Sequence, residues 1–309
     1  MILADIAKEL LPPILIRPMQ AVSRRFAKTP VDIYIANGRR PWTPGYLEYK
    51  QQYIETALAD PQLMARFAEG TMLPDAYGVG LDERCIEYPW LLSQFASPPL
   101  RLLDAGSTLN HEFVLRDPRL RDVTIHILTL APEETCLWKL PASYIFSDLR
   151  EMPTREAYYD AVACISTLEH VGFDNSFYAR DRPPEAERRF DFRVVMRELR
   201  RVLAPGGTLF LTVPFGEYRN GGWYQQFNSE LLQDAIDSFG DCQVASKRFY
   251  KYERSGWQIA EEGAVRDCQF VAWNDPRPGV PKPPRDDDSP TSDLAAAARA
   301  VACVRLVKE

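Results

Sequence analysis

Pro99-Leu-Arg-Leu-Leu-Asp-Ala-Gly-Ser-Thr-Leu-Asn110 is the stretch that decides the fold of this chain. Leu100, Leu102 and Leu103 predict a short buried strand, and Asp104-Ala105-Gly106-Ser107 a sharp turn of small residues. Asn110-His111-Glu112-Phe113 then opens a helical pattern. A strand that ends in such a turn and feeds a helix leaves backbone N–H groups at a sheet edge, where open α/β sheets bind ligands. One glycine is not a glycine-rich loop, so the reading depends on what surrounds it.

From Leu100 onward, apolar strand-like runs alternate with helical patterns, which predicts a parallel sheet covered by helices on both faces. Strands are expected near 100–104, 123–130, 143–146, 159–165, 207–213, 243–250 and 300–307, and helices near 110–116, 190–202 and 228–238. The expected fold class is therefore α/β, a three-layer sandwich around a mostly parallel seven-stranded sheet whose last strand is antiparallel. Upstream, Tyr46–Leu58, Pro61–Phe67 and Ile86–Phe95 read as helices. The chain divides on this reading into an N-terminal helical extension, residues 1–96, and a ligand-binding domain, residues 97–309. The Pro-rich segment 275–292, with Asp286-Asp287-Asp288, reads as a solvated loop.

Composition narrows the function. With 309 residues and 46% hydrophobic content the chain can bury a large core. A net charge of −6 argues against a dedicated nucleic-acid binder. The six cysteines (85, 136, 164, 242, 268, 303) form no C-x-x-C or Cys/His cluster, so they read as small hydrophobes in a reducing compartment, and no metal is expected. No apolar run approaches the ~20 residues that span a bilayer. Asp5, Glu9 and Pro12-Pro13 break a signal-peptide pattern, so a cytoplasmic location is expected. Residues 1–40 mix apolar residues with Arg17, Arg24, Arg25 and Lys28, a pattern that suits either an ordinary packed helix or a weak contact with a membrane surface.

Three further segments follow the first loop in a fixed order. Ser147-Asp148-Leu149-Arg150 ends the third strand, and Tyr159–Ile165 runs into Ser166-Thr167-Leu168-Glu169-His170. Glu198–Leu203 then leads through Pro205-Gly206-Gly207 into a strand ending at Pro214. With these in place the chain resembles the class I S-adenosylmethionine-dependent methyltransferases, whose fold is Rossmann-like. More narrowly, it is similar to a branch associated with polysaccharide and other small-molecule biosynthesis. The resemblance covers about residues 99–220 and says little about 1–95.

The resemblance implies S-adenosylmethionine as cofactor and a set of residues to hold it. Ala105, Gly106 and Ser107 would leave room for the amino-acid tail. Asp104 would accept from the tail ammonium, and Asn110 would lie beside it. Asp148 and the Leu149 N–H would meet the adenine ring, and Ile165 and Ser166 the adenosine and the reacting methyl. Because the sulfonium is already a strong electrophile, the protein need only position the partners and supply a base. His170, with Glu169 beside it, is the leading candidate. The alternative for His170 is a supporting role that holds Glu169 or a loop carbonyl. His111 is the second base candidate and a substrate contact. Phe215, Trp223 and Tyr224 follow the fifth strand as further substrate contacts in an aromatic stretch. His126, inside a strand, reads as structural.

Two departures matter. The first loop has one glycine where the family usually has two or three, and Ser107 is accommodated there if its φ stays negative. The second strand, Val123–Leu130, ends without the acid that usually grips the ribose, leaving Thr129, or Glu133 and Glu134, to stand in. The expected activity is methyl transfer to a hydroxyl of a small molecule or glycan precursor. The alternative is a non-catalytic protein of the same fold that serves as a scaffold. A nicotinamide-dependent dehydrogenase is disfavoured because G-x-G-x-x-G is missing after the first strand.

Overall fold

A computed structural model describes residues 28–95, 97–176, 178–179, 186–272 and 293–309. Most of the N-terminal stretch considered for membrane contact, and all of the Pro-rich segment 275–292, therefore lie outside the described residues. The chain forms two compact units that divide at Tyr49/Lys50. The expected boundary at 96/97 thus falls inside the second unit. Among the described residues no helix is long and apolar enough to cross a membrane.

In the first unit, α1 (Pro30–Ala36) starts with a capping box in which Thr29 and Asp32 each accept from the other's backbone N–H. Its buried Tyr34 packs edge-on against Tyr46, with ring centroids 5.8 Å apart. The next helix, α2 (Tyr46–Ala59), begins in this unit and ends in the second.

The second unit continues with α3 (Pro61–Glu69), capped by Asp60 and ended by Gly70 at φ 74°. Helix α4 (Arg84–Ser93) is buried from Cys85 through Leu92, as a helix apolar on nearly every side must be. Pro89 sits in its interior and cannot donate to the Cys85 carbonyl. The Tyr77 hydroxyl donates to that carbonyl instead, at 2.6 Å.

The sheet has eight strands: β1 (Arg101–Ala105), β2 (Thr124–Thr129), β3 (Ala142–Phe146), β4 (Tyr159–Ile165), β5 (Leu203–Pro214), β8 (Cys242–Glu253), β9 (Gly256–Ala260) and β10 (Ala300–Lys308). Their order is β3-β2-β1-β4-β5-β10-β8-β9. The first five pair in parallel, whereas β10 is antiparallel to both β5 and β8. The expected seven strands are all there, and β9 is the eighth, folded back on β8 across Arg254 and Ser255. Two short strands, β6 (Arg219–Asn220) and β7 (Gln225–Gln226), form a separate hairpin. Pro205-Gly206-Gly207, expected as a turn, is instead a bulge within β5. Tyr159 pairs with Leu203 and Ala161 with Thr208, so residues 204–207 bow out opposite Asp160.

Four helices complete the unit: α5 (Glu112–Leu115), α6 (Phe192–Val202), α7 (Ser229–Phe239) and α8 (Glu262–Val265). Phe192, Val195, Met196, Leu199 and Val202 recur at helical spacing on α6, and all five are buried in the core with Leu209, Leu211 and Phe239.

One buried carboxylate ties α4 to the sheet. Glu87 is fully buried, and its Oε1 accepts from Ser166 and Thr212 hydroxyls, each at 2.5 Å. Its Oε2 accepts from the Arg84 guanidinium. The helix is thereby fixed to the ends of β4 and β5. Removing one member of such a group strands the others without a partner. Glu87→Ala is expected to lower stability by about 3–5 kcal/mol in urea unfolding. A loss below about 1 kcal/mol would show that the carboxylate does not fasten the helix.

Candidate functional site

The strand order reverses direction between β1 and β4, and open α/β sheets bind ligands beyond the strand ends at such a switch point. A cavity of ≈ 440 Å³ lies there. Its walls come from the residues after β1 (Gly106, Ser107, Thr108), β2 (Leu128, Thr129, Leu130), β3 (Ser147, Asp148, Leu149) and β4 (Ser166, Thr167, His170).

The loop after β1 is tighter than its sequence suggests. Gly106 has φ 118° and Ser107 has φ 62°, so the expected negative φ of Ser107 is not observed. The turn needs two left-handed residues in succession, at a cost of roughly 1–2 kcal/mol for the serine. A Cβ on Gly106 would lie 2.2 Å from Thr167 Oγ1. Ser107 Oγ is buried in the wall with no hydrogen-bond partner among the described residues.

Asp104 is not on the wall, which corrects its expected contact with a ligand ammonium. It is fully buried, and its two oxygens accept from the Thr108 N–H at 3.2 Å and the Leu109 N–H at 2.8 Å. It closes the loop on itself. Burial holds its carboxyl up at about 7, against the lowering pull of those two N–H groups. The Thr108 hydroxyl donates to the Ile165 carbonyl at 2.7 Å, and the Tyr88 hydroxyl to the Thr108 carbonyl at 2.7 Å, so the loop is pinned from both sides. Ala105 and Ile165 are likewise buried strand residues behind the wall.

The Asn110 side chain points away from the cavity and organises the loop after β2. Its Nδ2 donates to Glu133 Oε2 at 3.0 Å and to the Thr135 carbonyl at 3.1 Å, and its Oδ1 accepts from the Tyr144 hydroxyl at 2.8 Å. This brings Glu133 onto the wall with Thr129. An acid thus stands near the end of the second strand although the strand itself carries none. Glu134 is exposed and not part of the wall.

After β3, Asp148 accepts from the Arg150 backbone N–H at 2.9 Å and from its guanidinium at 3.0 and 2.7 Å. Arg150 also reaches Asp191 at 2.8 Å, which anchors this corner to the start of α6. Leu149 is buried in the wall. After β4, Ser166 adopts φ 38° and donates to Glu87. Its N–H meets Thr212 Oγ1 at 3.0 Å.

His170 stands on the wall with its protonation pattern fixed by a neighbour. Its Nδ1 lies 3.0 Å from the Trp223 carbonyl, which can only accept, so the proton is on Nδ1 and Nε2 carries the lone pair. The imidazole stacks on the Trp223 ring at 5.0 Å. Burial lowers its pKa to about 4, partly offset by the Trp223 carbonyl, so it is neutral at pH 7. Glu169 is placed differently from the expectation. It is 2% exposed and off the wall, its Oε1 is 3.9 Å from His170 Nε2, and burial pushes its carboxyl well above the usual range. It therefore stands behind the histidine and off the wall, where burial disfavours its charged form.

The aromatic stretch after β5 is also corrected. Phe215 is fully buried, packed on Phe249 at 4.7 Å in the core, and contacts no ligand space. Tyr224 is buried against Phe270 at 4.6 Å. Trp223 backs His170 without lining the cavity, and both aromatics lie in the turn of the β6–β7 hairpin. His111 does line the cavity, stacked on Phe113 at 5.6 Å. His126 lies in β2 with its Nδ1 2.8 Å from the Tyr159 hydroxyl.

Two wall residues escaped sequence reading because they come from α4. Arg84 and Tyr88 line the cavity from outside the expected domain. The available signal was an Arg84/Glu87 pair at i,i+3 in the otherwise apolar run Cys85–Leu92.

Residues 122–211 match a family described as "Methyltransferase domain". No curated protein matches the chain. Among solved structures, one is the Burkholderia thailandensis 1,6-didemethyltoxoflavin-N1-methyltransferase, crystallised with S-adenosylhomocysteine. It is 12% identical, with a TM-score of 0.44 over 84% of this chain and 90% of that one. A putative methyltransferase from Haloferax volcanii, solved with its Trm112 activator, is 13% identical at a TM-score of 0.44, over 83% of this chain and 98% of that one. The [4+2]-cyclase SpnF is 17% identical at a TM-score of 0.44, over 84% of this chain and 94% of that one. At such identities the likenesses carry nothing about activity. The family match thus falls on part of a Rossmann-like sheet whose first loop opens on the cavity, and what it shows is a likeness to a methyltransferase domain over residues 122–211.

Proposed function

We propose that this protein is a cytoplasmic methyltransferase that transfers the methyl group of S-adenosylmethionine to a hydroxyl of a small molecule or glycan precursor. The observation that carries the reading is His170, a neutral imidazole on the cavity wall whose tautomer leaves Nε2 as an acceptor.

The wall suits the cofactor's parts. Asp148 and the Leu149 N–H would hold adenine, and Glu133, presented by Asn110, would accept from the ribose hydroxyls. The Gly106–Ser107 turn, with the unpartnered Ser107 Oγ, would take the amino-acid tail. When bound, S-adenosylmethionine supplies an electrophilic methyl on its sulfonium. Ser166 and Thr167 shape the floor between these groups and His170. His170 Nε2 would take the hydroxyl proton of the acceptor, while the Trp223 carbonyl holds the ring in place. A pKa of about 4 makes it a weak base in the resting protein. Proton transfer would therefore have to accompany bond formation rather than precede it. The scaffold alternative drew its support from the missing acid in the second strand. Glu133 on the wall removes that support.

Calorimetric titration with S-adenosylhomocysteine is expected to show micromolar binding that Asp148→Ala abolishes. Absence of binding by the folded wild type would return the scaffold reading. His170→Ala should lower turnover by ~10²–10⁴ with cofactor affinity nearly unchanged. A tenfold or smaller drop would make it a supporting residue. Titration carries its own sign. The folded pKa of about 4 lies below the ordinary 6.5, so the folded state binds fewer protons than the unfolded state across that window. This group therefore withdraws stability as pH falls from 6.5 towards 4. Histidine NMR should show the resonance lost in His170→Asn to be the one unchanged down to pH 5. A midpoint near 6.5 would contradict the burial.

A further inference from the structure

The cavity holds a charged group that the reading above does not use. Arg84 sits where α4 meets the cavity, with its side chain 25% exposed, and only part of its guanidinium is spent inside the protein. Its Nη1 donates to Glu87, and among the described residues its Nε and Nη2 donate to nothing. Other acids close by are committed elsewhere or have their ionisation held back by burial. Asp82 pairs with Lys50 at 2.6 Å, and burial beside Asp82 and Glu87 holds Glu83 up at about 7. Glu87 itself is shared with Ser166 and Thr212. The charge of Arg84 reaches across the space. Burial is the main influence on His111, His170 and Tyr178, lowering the two imidazoles and raising the phenol, and the charge of Arg84 adds to the first effect and opposes the second, on three separate parts of the wall.

A guanidinium with an open edge facing an enclosed space matches a planar oxyanion through two parallel hydrogen bonds. We infer that Arg84 is an anion-recognition residue of the cavity, clamping a carboxylate or phosphate oxygen pair of a bound ligand through Nε and Nη2. The inference rests on the proposed cofactor, because the same chemistry has two sources: the tail carboxylate of S-adenosylmethionine, or an acidic group on the acceptor. It also gives α4 a role in binding, although this helix lies outside the segment that matches the family.

S-adenosylhomocysteine and 5′-methylthioadenosine, which lacks the amino-acid tail, separate the two sources. If the tail is the ligand, Arg84→Gln weakens the first by roughly 10- to 100-fold, as expected for a charge-assisted pair, and leaves the second unchanged. If the acceptor supplies the anion, Arg84→Gln spares both nucleosides. Inorganic phosphate then raises the melting temperature of the wild-type complex with S-adenosylhomocysteine but not that of the variant. Unchanged affinities together with an equal phosphate response overturn the inference.

Unchanged binding of 5′-methylthioadenosine also reports that the variant is folded. Should Arg84→Gln fail that control, Arg84→Lys retains a cation for Glu87 but loses the fork. It is expected to weaken only the tailed nucleoside, or to abolish only the phosphate response, and to overturn the inference if it does neither. A wild type that binds neither nucleoside defeats the cofactor reading alone. Phosphate protection of the free protein, lost in Arg84→Gln, then still decides the role of Arg84.

Discussion

The site depends on a carboxylate that never reaches it. Glu87 accepts from Ser166 on the loop after β4, from Thr212 within β5 and from Arg84 on its own helix. Burying a charge is costly unless it is fully hydrogen-bonded, and this one has three donors. The return is positional. Ser166 is held at φ 38°, a conformation few residues adopt unassisted, and α4 is set so that Arg84 and Tyr88 face the cavity. Tyr88 then fastens the first loop through the Thr108 carbonyl, and Thr108 fastens the loop to β4. A chain of hydrogen bonds thus runs from the helix to the loops after β1 and β4.

The fold was legible because its signals are local and repeated. Alternation of strand and helix patterns predicted all seven expected strands, and α6 is visible from its five buried residues at helical spacing. Strand β9 went unread because Gly-Trp-Gln-Ile-Ala is short and its pairing depends on the turn at Arg254 and Ser255. The site was legible only as positions along the chain. Gly106, Ser107, Thr129, Asp148, Leu149, Ser166, His170 and His111 do line the cavity. Asp104, Asn110 and Glu169 do not, because whether a polar side chain faces a ligand or its own loop is settled by backbone geometry. Phe215 shows the same limit for an apolar residue, whose place in the core depends on its contact with Phe249 in β8. Arg84 and Tyr88 were out of reach, since only tertiary packing brings α4 to the strand ends.

Two features of the cavity bear on its chemistry. β2 carries no acid at its end, but Glu133 stands on the wall beyond it, held by Asn110, which Tyr144 holds in turn. The candidate base is kept neutral by burial and oriented by a backbone carbonyl, and burial also disfavours charge on the acid beside it, Glu169. Such a wall favours positioning over strong base catalysis. That suits a reaction whose methyl donor is already electrophilic.

A crystal structure of the complex with S-adenosylhomocysteine tests most directly whether this cavity is the cofactor site. The expected complex has adenine beside Asp148 and Leu149, ribose hydroxyls on Glu133, and the amino-acid tail at the Gly106–Ser107 turn. A nucleoside bound elsewhere, or lying in the cavity with its ribose away from Glu133, would contradict it.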